Sequence, residues 1–216
     1  NKRHIWCRNG QIIKIKALRS ANSLVEREFY RWNFVSLSGD LVASSNGLPV
    51  LPYTSLKEAR SSDYLFIVAS YDFQTHDISE CRQLLRESAA KFKFMVGLDT
   101  GPWLMASAGL LEGHGETLHW GTLDSFSERF SNVSTVRHRI VNDMNQITFT
   151  GAMSAFDLTR SMIEEHLETS VGLDGDSMLL RDYTLALQDR EPCNASQPCT
   201  KSHCCDANEY RKPAKP

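Results

Sequence analysis

A three-layer α/β sandwich built on a mostly parallel sheet is the fold class this sequence predicts, and three observations predict it. Residues 63–69 (Asp-Tyr-Leu-Phe-Ile-Val-Ala) are an apolar run with the length and β-branched content of a strand buried on both faces, and residues 92–98 are a second candidate for a buried strand. Between them, Ile78, Cys81, Leu84, Leu85 and Ala89 recur at helical spacing over residues 78–91. A long helix over residues 152–168 then closes an alternation of strands and helices that occupies most of the chain.

Taken in order, the first element is atypical for such a sandwich. Arg8-Asn9-Gly10-Gln11, between Ile5-Trp6 and Ile12-Ile13, reads as a hairpin turn. Residues 33–51 hold two or three short strand-like pieces punctuated by Gly39-Asp40 and Asn46-Gly47. A short helical stretch is expected over residues 55–61. Strand 63–69, helix 78–91 and strand 92–98 then form a crossover unit with parallel strands. A helix over 100–111 with small Ala106, Ser107 and Ala108 follows, then residues 123–130, a strand-like 133–141, a turn at Asn142-Asp143 and a strand over 146–150. From Arg190 onward Pro, Cys, Ser, Asn and Lys dominate without apolar period, which reads as a disordered tail. The expected organisation is an atypical segment 1–16, one principal domain 17–189 and a tail 190–216, with no internal repeat.

Composition narrows the function. With 216 residues, 41% hydrophobic and 23% charged, the chain can bury one sizeable core. A formal charge of -2 offers no global field for a polyanion, so contact with DNA is expected only through a domain outside this chain. The first sixteen residues lack a signal-peptide apolar core, and no segment has the length to span a bilayer, so a cytoplasmic protein without membrane contact is expected. Cys7 and Cys81 are isolated and the other four cysteines crowd the tail, a distribution that predicts reduced thiols. Cys193, Cys199, His203, Cys204 and Cys205 have irregular spacing for a zinc site, and Gly101, Gly109 and Gly113 match neither a dinucleotide nor a P-loop pattern. No metal or cofactor is expected.

The segment that carries most information runs from Gly97 to Trp120. A buried strand through Gly97 and Leu98, a sharp turn at Asp99 and a helix from Thr100 describe an elbow that presents one side chain above the carboxyl edge of the sheet. Asp99 is that residue, and the N–H groups of Thr100 and Gly101 are expected to point the same way. A plainer reading makes Asp99 only a helix cap. His119-Trp120, likewise, reads either as a buried pair or as a pocket wall.

Asp99-Thr-Gly, Leu104-Met-Ala-Ser-Ala-Gly-Leu-Leu and Thr117-Leu-His-Trp resemble the signature of AraC-family regulators whose N-terminal domain is amidotransferase-like, within the ThiJ/PfpI superfamily. Ala17-Leu-Arg-Ser-Ala-Asn22, Trp32-Asn-Phe-Val-Ser-Leu-Ser-Gly39, Ser44-Ser-Asn-Gly47 and Thr148-Phe-Thr-Gly-Ala-Met-Ser-Ala-Phe-Asp157 extend the resemblance over roughly residues 17–180. It implies a class I glutamine amidotransferase-like, flavodoxin-like fold. Active superfamily members carry a cysteine at the elbow with a histidine nearby, whereas this chain has Asp99 and His119. Many relatives keep a glutamate within residues 12–17, where Lys14 and Lys16 stand here. Neither the buried first strand of the relatives nor their helix-turn-helix region is recognisable, and composition changes at both ends of the kind a shifted reading frame would produce.

The expectation is therefore a non-catalytic sensor domain, self-associating as a homodimer, for a small nitrogenous effector such as an amino acid or quaternary amine. Asp99, Thr100, Gly101, Trp103, His119 and Trp120 would form its site, the tryptophans offering aromatic faces to a cation. The resemblance points to the branch that senses arginine, carnitine and glycine betaine. The alternatives are a hydrolase, amidase or lyase of the same fold using His119, and a purely structural dimerisation module.

Overall fold

The computed structural model describes residues 3–8, 12–44, 47–69 and 71–178. The tail, with its cysteines, lies outside them, as do positions 9–11 of the expected hairpin turn. Eleven strands and six α-helices occur among the described residues: β1 (Arg3–Arg8), α1 (Ile12–Leu24), β2 (Tyr30–Ser36), β3 (Val42–Ala43), β4 (Pro49–Val50), β5 (Thr54–Ser55), β6 (Ser62–Ala69), α2 (Ser79–Ala89), β7 (Phe92–Asp99), α3 (Gly101–Ser107), β8 (Gly115–Glu116), α4 (Leu123–Arg129), β9 (Ser134–Thr135), β10 (Ile140–Asp143), β11 (Gln146–Phe149), α5 (Ala152–His166) and α6 (Thr169–Met178).

The main sheet has the order β10-β11-β7-β6-β1-β2-β5 and is parallel except for β10, which returns antiparallel to β11. Alternation along the central strands sends side chains to two separate cores. Leu65, Ile67, Ala69 and Met95 pack with Cys81, Leu84 and Leu85 of α2, with α3, and with Leu123 and Phe126 of α4. Tyr64, Phe66, Val96 and Leu98 pack on the other side with Ala17, Leu18 and Ala21 of α1 and Ala155, Leu158 and Met162 of α5. A strand buried on both faces carries few polar side chains, which is why the stretches 64–69 and 94–98, free of charged residues, were legible without any partner information. The result is the expected three-layer, flavodoxin-like sandwich.

Several local expectations are corrected. The hairpin at the N-terminus is replaced by a single central strand: β1 runs parallel to β2 on one side and β6 on the other, with Ile5 opposite both Trp32 and Tyr64. It leads into α1, which continues from Ile12 through position 17 without a break. Asn22 then staples that helix to β2, its Oδ1 accepting from the N–H groups of Phe29 (3.0 Å) and Tyr30 (2.7 Å). Within 55–61, Ser55 ends β5 and residues 56–58 form a turn rather than a helix. The 133–141 strand is divided between β9 and β10, and the turn falls on Met144 and Asn145, leaving Asn142 and Asp143 inside β10. No helix among the described residues is long and apolar enough to cross a membrane.

Strand order reverses at β1, whose sequence neighbour β2 lies on one side while β6 and β7 lie on the other. In open parallel sheets this reversal leaves a crevice at the carboxyl edge, the usual place for a ligand. The elbow at the end of β7 is on that edge.

Candidate functional site

Asp99 ends β7 with φ of +60°, a left-handed backbone angle that few residues other than glycine adopt. Aspartate is among the side chains that tolerate it best, and strain of this kind collects at functional turns. The turn is forced by close packing behind it. A Cβ on Gly101 would lie 2.2 Å from the carbonyl oxygen of Ile67, and one on Gly97 would lie 2.7 Å from Sδ of Met105. Glycine at both positions lets α3 start directly against the backbone of β6.

The N-cap position of α3 is Thr100, whose side chain makes no capping hydrogen bond, and Asp99 stands one residue before it. The Thr100 N–H, expected to face a ligand, instead donates to the carbonyl of Ala69 at 3.4 Å, and Thr100 and Gly101 are both buried. These two residues shape the turn from below.

Residues 117–122 come up beside Asp99. The His119 N–H donates to the Asp99 carbonyl at 3.1 Å, and the segment is pinned to the sheet by the Thr117 N–H donating to Oγ1 of Thr148 (2.9 Å) and the Thr117 hydroxyl donating to the His138 carbonyl (2.7 Å). Nδ1 of His119 accepts from the Gly121 N–H at 3.2 Å, which leaves Nε2 as the nitrogen free to present a proton. The imidazole lies 5.2 Å from the indole of Trp120, which is 38% exposed. Half-buried Asp99 and His119 are therefore joined through their backbones, with the His119 ring beside the exposed indole of Trp120.

Trp103 does not join them. It is 5% exposed and packed edge-on by Phe73, Phe126 and Phe130, with the Arg129 guanidinium 5.8 Å from its ring. The aromatic face expected for a ligand there is already occupied by the core. Arg129 also belongs to a brace around Asp77, whose carboxylate takes Arg82 Nε at 2.7 Å, the Ser107 hydroxyl at 2.9 Å and Arg129 Nη2 at 3.5 Å. Burial pushes the Asp77 carboxyl up, but the hydrogen bonds from Arg82 and Ser107 and the charges of Arg82 and Arg129 outweigh it and hold it below the usual carboxylate range.

A buried ion pair and a buried carboxyl near the same edge were not singled out by the sequence. Arg139 and Asp157 form an ion pair of 2.8 Å linking the start of β10 to α5. Glu116, in β8, is completely buried, and burial pushes its carboxyl up to about 8. No pattern marks either one, since Arg, Asp and Glu are surface residues by default. Among the described residues no cluster of His, Cys, Asp and Glu could hold a metal ion.

Comparison with known proteins agrees with this architecture. The profile of the DJ-1/PfpI family matches residues 14–165. The HTH-type transcriptional regulator CdhR of Pseudomonas aeruginosa is 31% identical over 156 residues, 72% of this chain and 46% of that protein. The HTH-type transcriptional regulator GbdR of the same species is 31% identical over 153 residues, 70% of this chain and 42% of that protein. This chain thus spans less than half the length of these regulators. A more distant relative, isonitrile hydratase of Pseudomonas putida, is 27% identical over 57% of the chain. Among solved structures, an AraC family transcriptional regulator from Pseudomonas putida superposes with a TM-score of 0.67 at 21% identity, covering 83% of this chain and all of that one.

Proposed function

Because the chain belongs to the DJ-1/PfpI family, with HTH-type transcriptional regulators among its relatives, we propose that it is the effector-sensing domain of such a regulator and performs no chemistry of its own. The observation that carries this reading is Asp99 at the elbow, in the left-handed conformation, where a nucleophile would need a thiol. A carboxylate there is a poor acyl acceptor and a good counter-ion.

The effector is a small cationic or zwitterionic nitrogen compound, an amino acid or a quaternary amine. Asp99 pairs with its cationic group, Trp120 offers an aromatic face to the same charge, and Nε2 of His119 supplies one directional hydrogen bond. Thr100 and Gly101 shape the floor of the site. A homodimer is part of the reading, and DNA contact falls to a separate helix-turn-helix domain of a longer protein, in keeping with the HTH-type regulators among its relatives.

A thermal-shift screen of the chain against amino acids, polyamines and betaines tests the proposal, since a compound that binds only the native state raises the midpoint. At least one cationic compound is expected to do so, and Asp99→Asn to reduce the shift at the same concentration. The relation to isonitrile hydratase gives the enzymatic alternative its one support. Hydratase or amidase turnover that disappears in His119→Ala would replace the sensor reading with it.

A further inference from the structure

Glu116 is the least satisfied group among the described residues: no part of it reaches solvent, and neither carboxylate oxygen has a hydrogen-bond partner. Yet the strand around it is tightly held. The Gly115 N–H donates to Oδ2 of Asp143 at 2.8 Å, the Val136 N–H donates to the Glu116 carbonyl at 2.9 Å, and the Thr117 N–H reaches Oγ1 of Thr148. Three residues after Glu116 the chain bonds to Asp99 through the His119 N–H.

The charged groups on the neighbouring segments are engaged elsewhere. Asp143 takes the Gly115 N–H and His114 (3.3 Å), Arg139 pairs with Asp157, and Arg137 lies 4.0 Å from Asp124. His138 contributes its carbonyl to Thr117, Glu112 is exposed, and the side chains that β11 turns toward β8, Gln146 and Thr148, are uncharged. Burial alone therefore governs this carboxyl, and it favours the neutral acid. A neutral buried acid without partners is tolerable, whereas the same group ionised there is not.

We propose that Glu116 is a proton-operated latch on residues 115–122, the segment that carries His119 and Trp120 to the elbow. While it keeps its proton the segment stays seated on the sheet. When the proton leaves to solvent, the carboxylate must reach water, and the strand lifts and takes one wall of the site with it. That this wall contacts an effector rests on the proposed function, but the latch itself does not.

The sign of the stability effect follows from proton counting. In the unfolded chain the carboxyl titrates near its ordinary value of about 4.3, whereas the native protein holds the proton to about 8. Between those values the unfolded state binds fewer protons, so native stability falls as pH rises, with the folding constant dropping by up to about tenfold per unit. Below both values the group contributes nothing.

The test compares wild type, Glu116→Gln and Glu116→Met from pH 4 to 9.5 by urea denaturation. Trp120 emission is isolated by subtracting the spectrum of Trp120→Phe. Wild type should lose stability relative to both variants across that window, and its Trp120 emission should shift to the red between pH 7 and 9 while theirs does not. The apolar Met variant carries the comparison if Gln fails to fold. In wild type alone, hydrogen-exchange protection of residues 115–122, corrected for the intrinsic pH dependence, should fall from pH 7 to 9. Parallel stability profiles, equal Trp120 shifts or unchanged protection would each overturn the latch. No ligand is used, so failure of the sensor reading would show separately, as absence of effector binding at pH 7.

Discussion

The His119 N–H donates to the carbonyl of Asp99 at 3.1 Å, so the strand-to-helix elbow and the 117–122 segment are joined through their backbones. Substituting either side chain leaves that bond in place. This allows the contribution of the Asp99 carboxylate to be measured apart from the shape of the turn.

The backbone at Asp99 should reveal itself in stability. Asp99→Ala is expected to cost about 1 kcal/mol in urea denaturation, because alanine pays a steric penalty at positive φ that aspartate partly avoids through local hydrogen bonding. Asp99→Gly removes the Cβ and should cost less. Equal losses in the two variants would show that φ of +60° is not the source.

Effector binding should respond to charge. Asp99→Asn preserves the shape and tolerates the same backbone angle, so stability should hardly change while affinity for a cationic effector drops by about 1.5–3 kcal/mol, the range for a hydrogen bond to a charged group. Isothermal titration with the best compound from the thermal-shift screen measures this. Unchanged affinity would move the site away from the elbow.

The floor of the elbow is predicted to admit no side chain. In Gly101→Ala the new Cβ would meet the Ile67 carbonyl oxygen at 2.2 Å, and backbone in the centre of β6 cannot yield as a flexible side chain would. A loss at the upper end of about 1–3 kcal/mol is expected from denaturant titration. A loss within a few tenths would mean that α3 can slide along the sheet.

Asp77 sets a dependence at the acidic end. Its folded pKa is depressed, so its contribution is fully present above the ordinary carboxylate value and is lost as pH falls through the lower folded value. Asp77→Asn should therefore be less stable than wild type at pH 7, with the gap narrowing as pH is lowered below about 4. A gap that stays constant would assign the brace to packing of Arg82 and Arg129 rather than to charge.

Local pattern by itself determined much of this protein. Strands 63–69 and 92–98, helices 78–91 and 152–168, and the turn at Asp99 were legible because burial on two faces, or on one helical face, leaves a periodic signature within a single segment. The resemblance through Asp99-Thr-Gly and Thr117-Leu-His-Trp placed the chain in its family for the same reason: the motifs are contiguous.

What the tertiary structure alone decided involves partners far apart in sequence. Arg3-His-Ile-Trp-Cys-Arg has no continuous apolar run, and it becomes the central strand only because β2 and β6 supply hydrogen bonds on both sides. Trp103 reads in the sequence as a ligand contact, whereas Phe73, Phe126 and Phe130, from two other elements, enclose it. Glu116 carries no mark in the sequence, because only the meeting of β8 with β9, β10 and β11 removes it from water. Periodicity records which face of an element is apolar. It does not record what that face meets, and the energy of a buried charge or an occupied ring depends on that meeting.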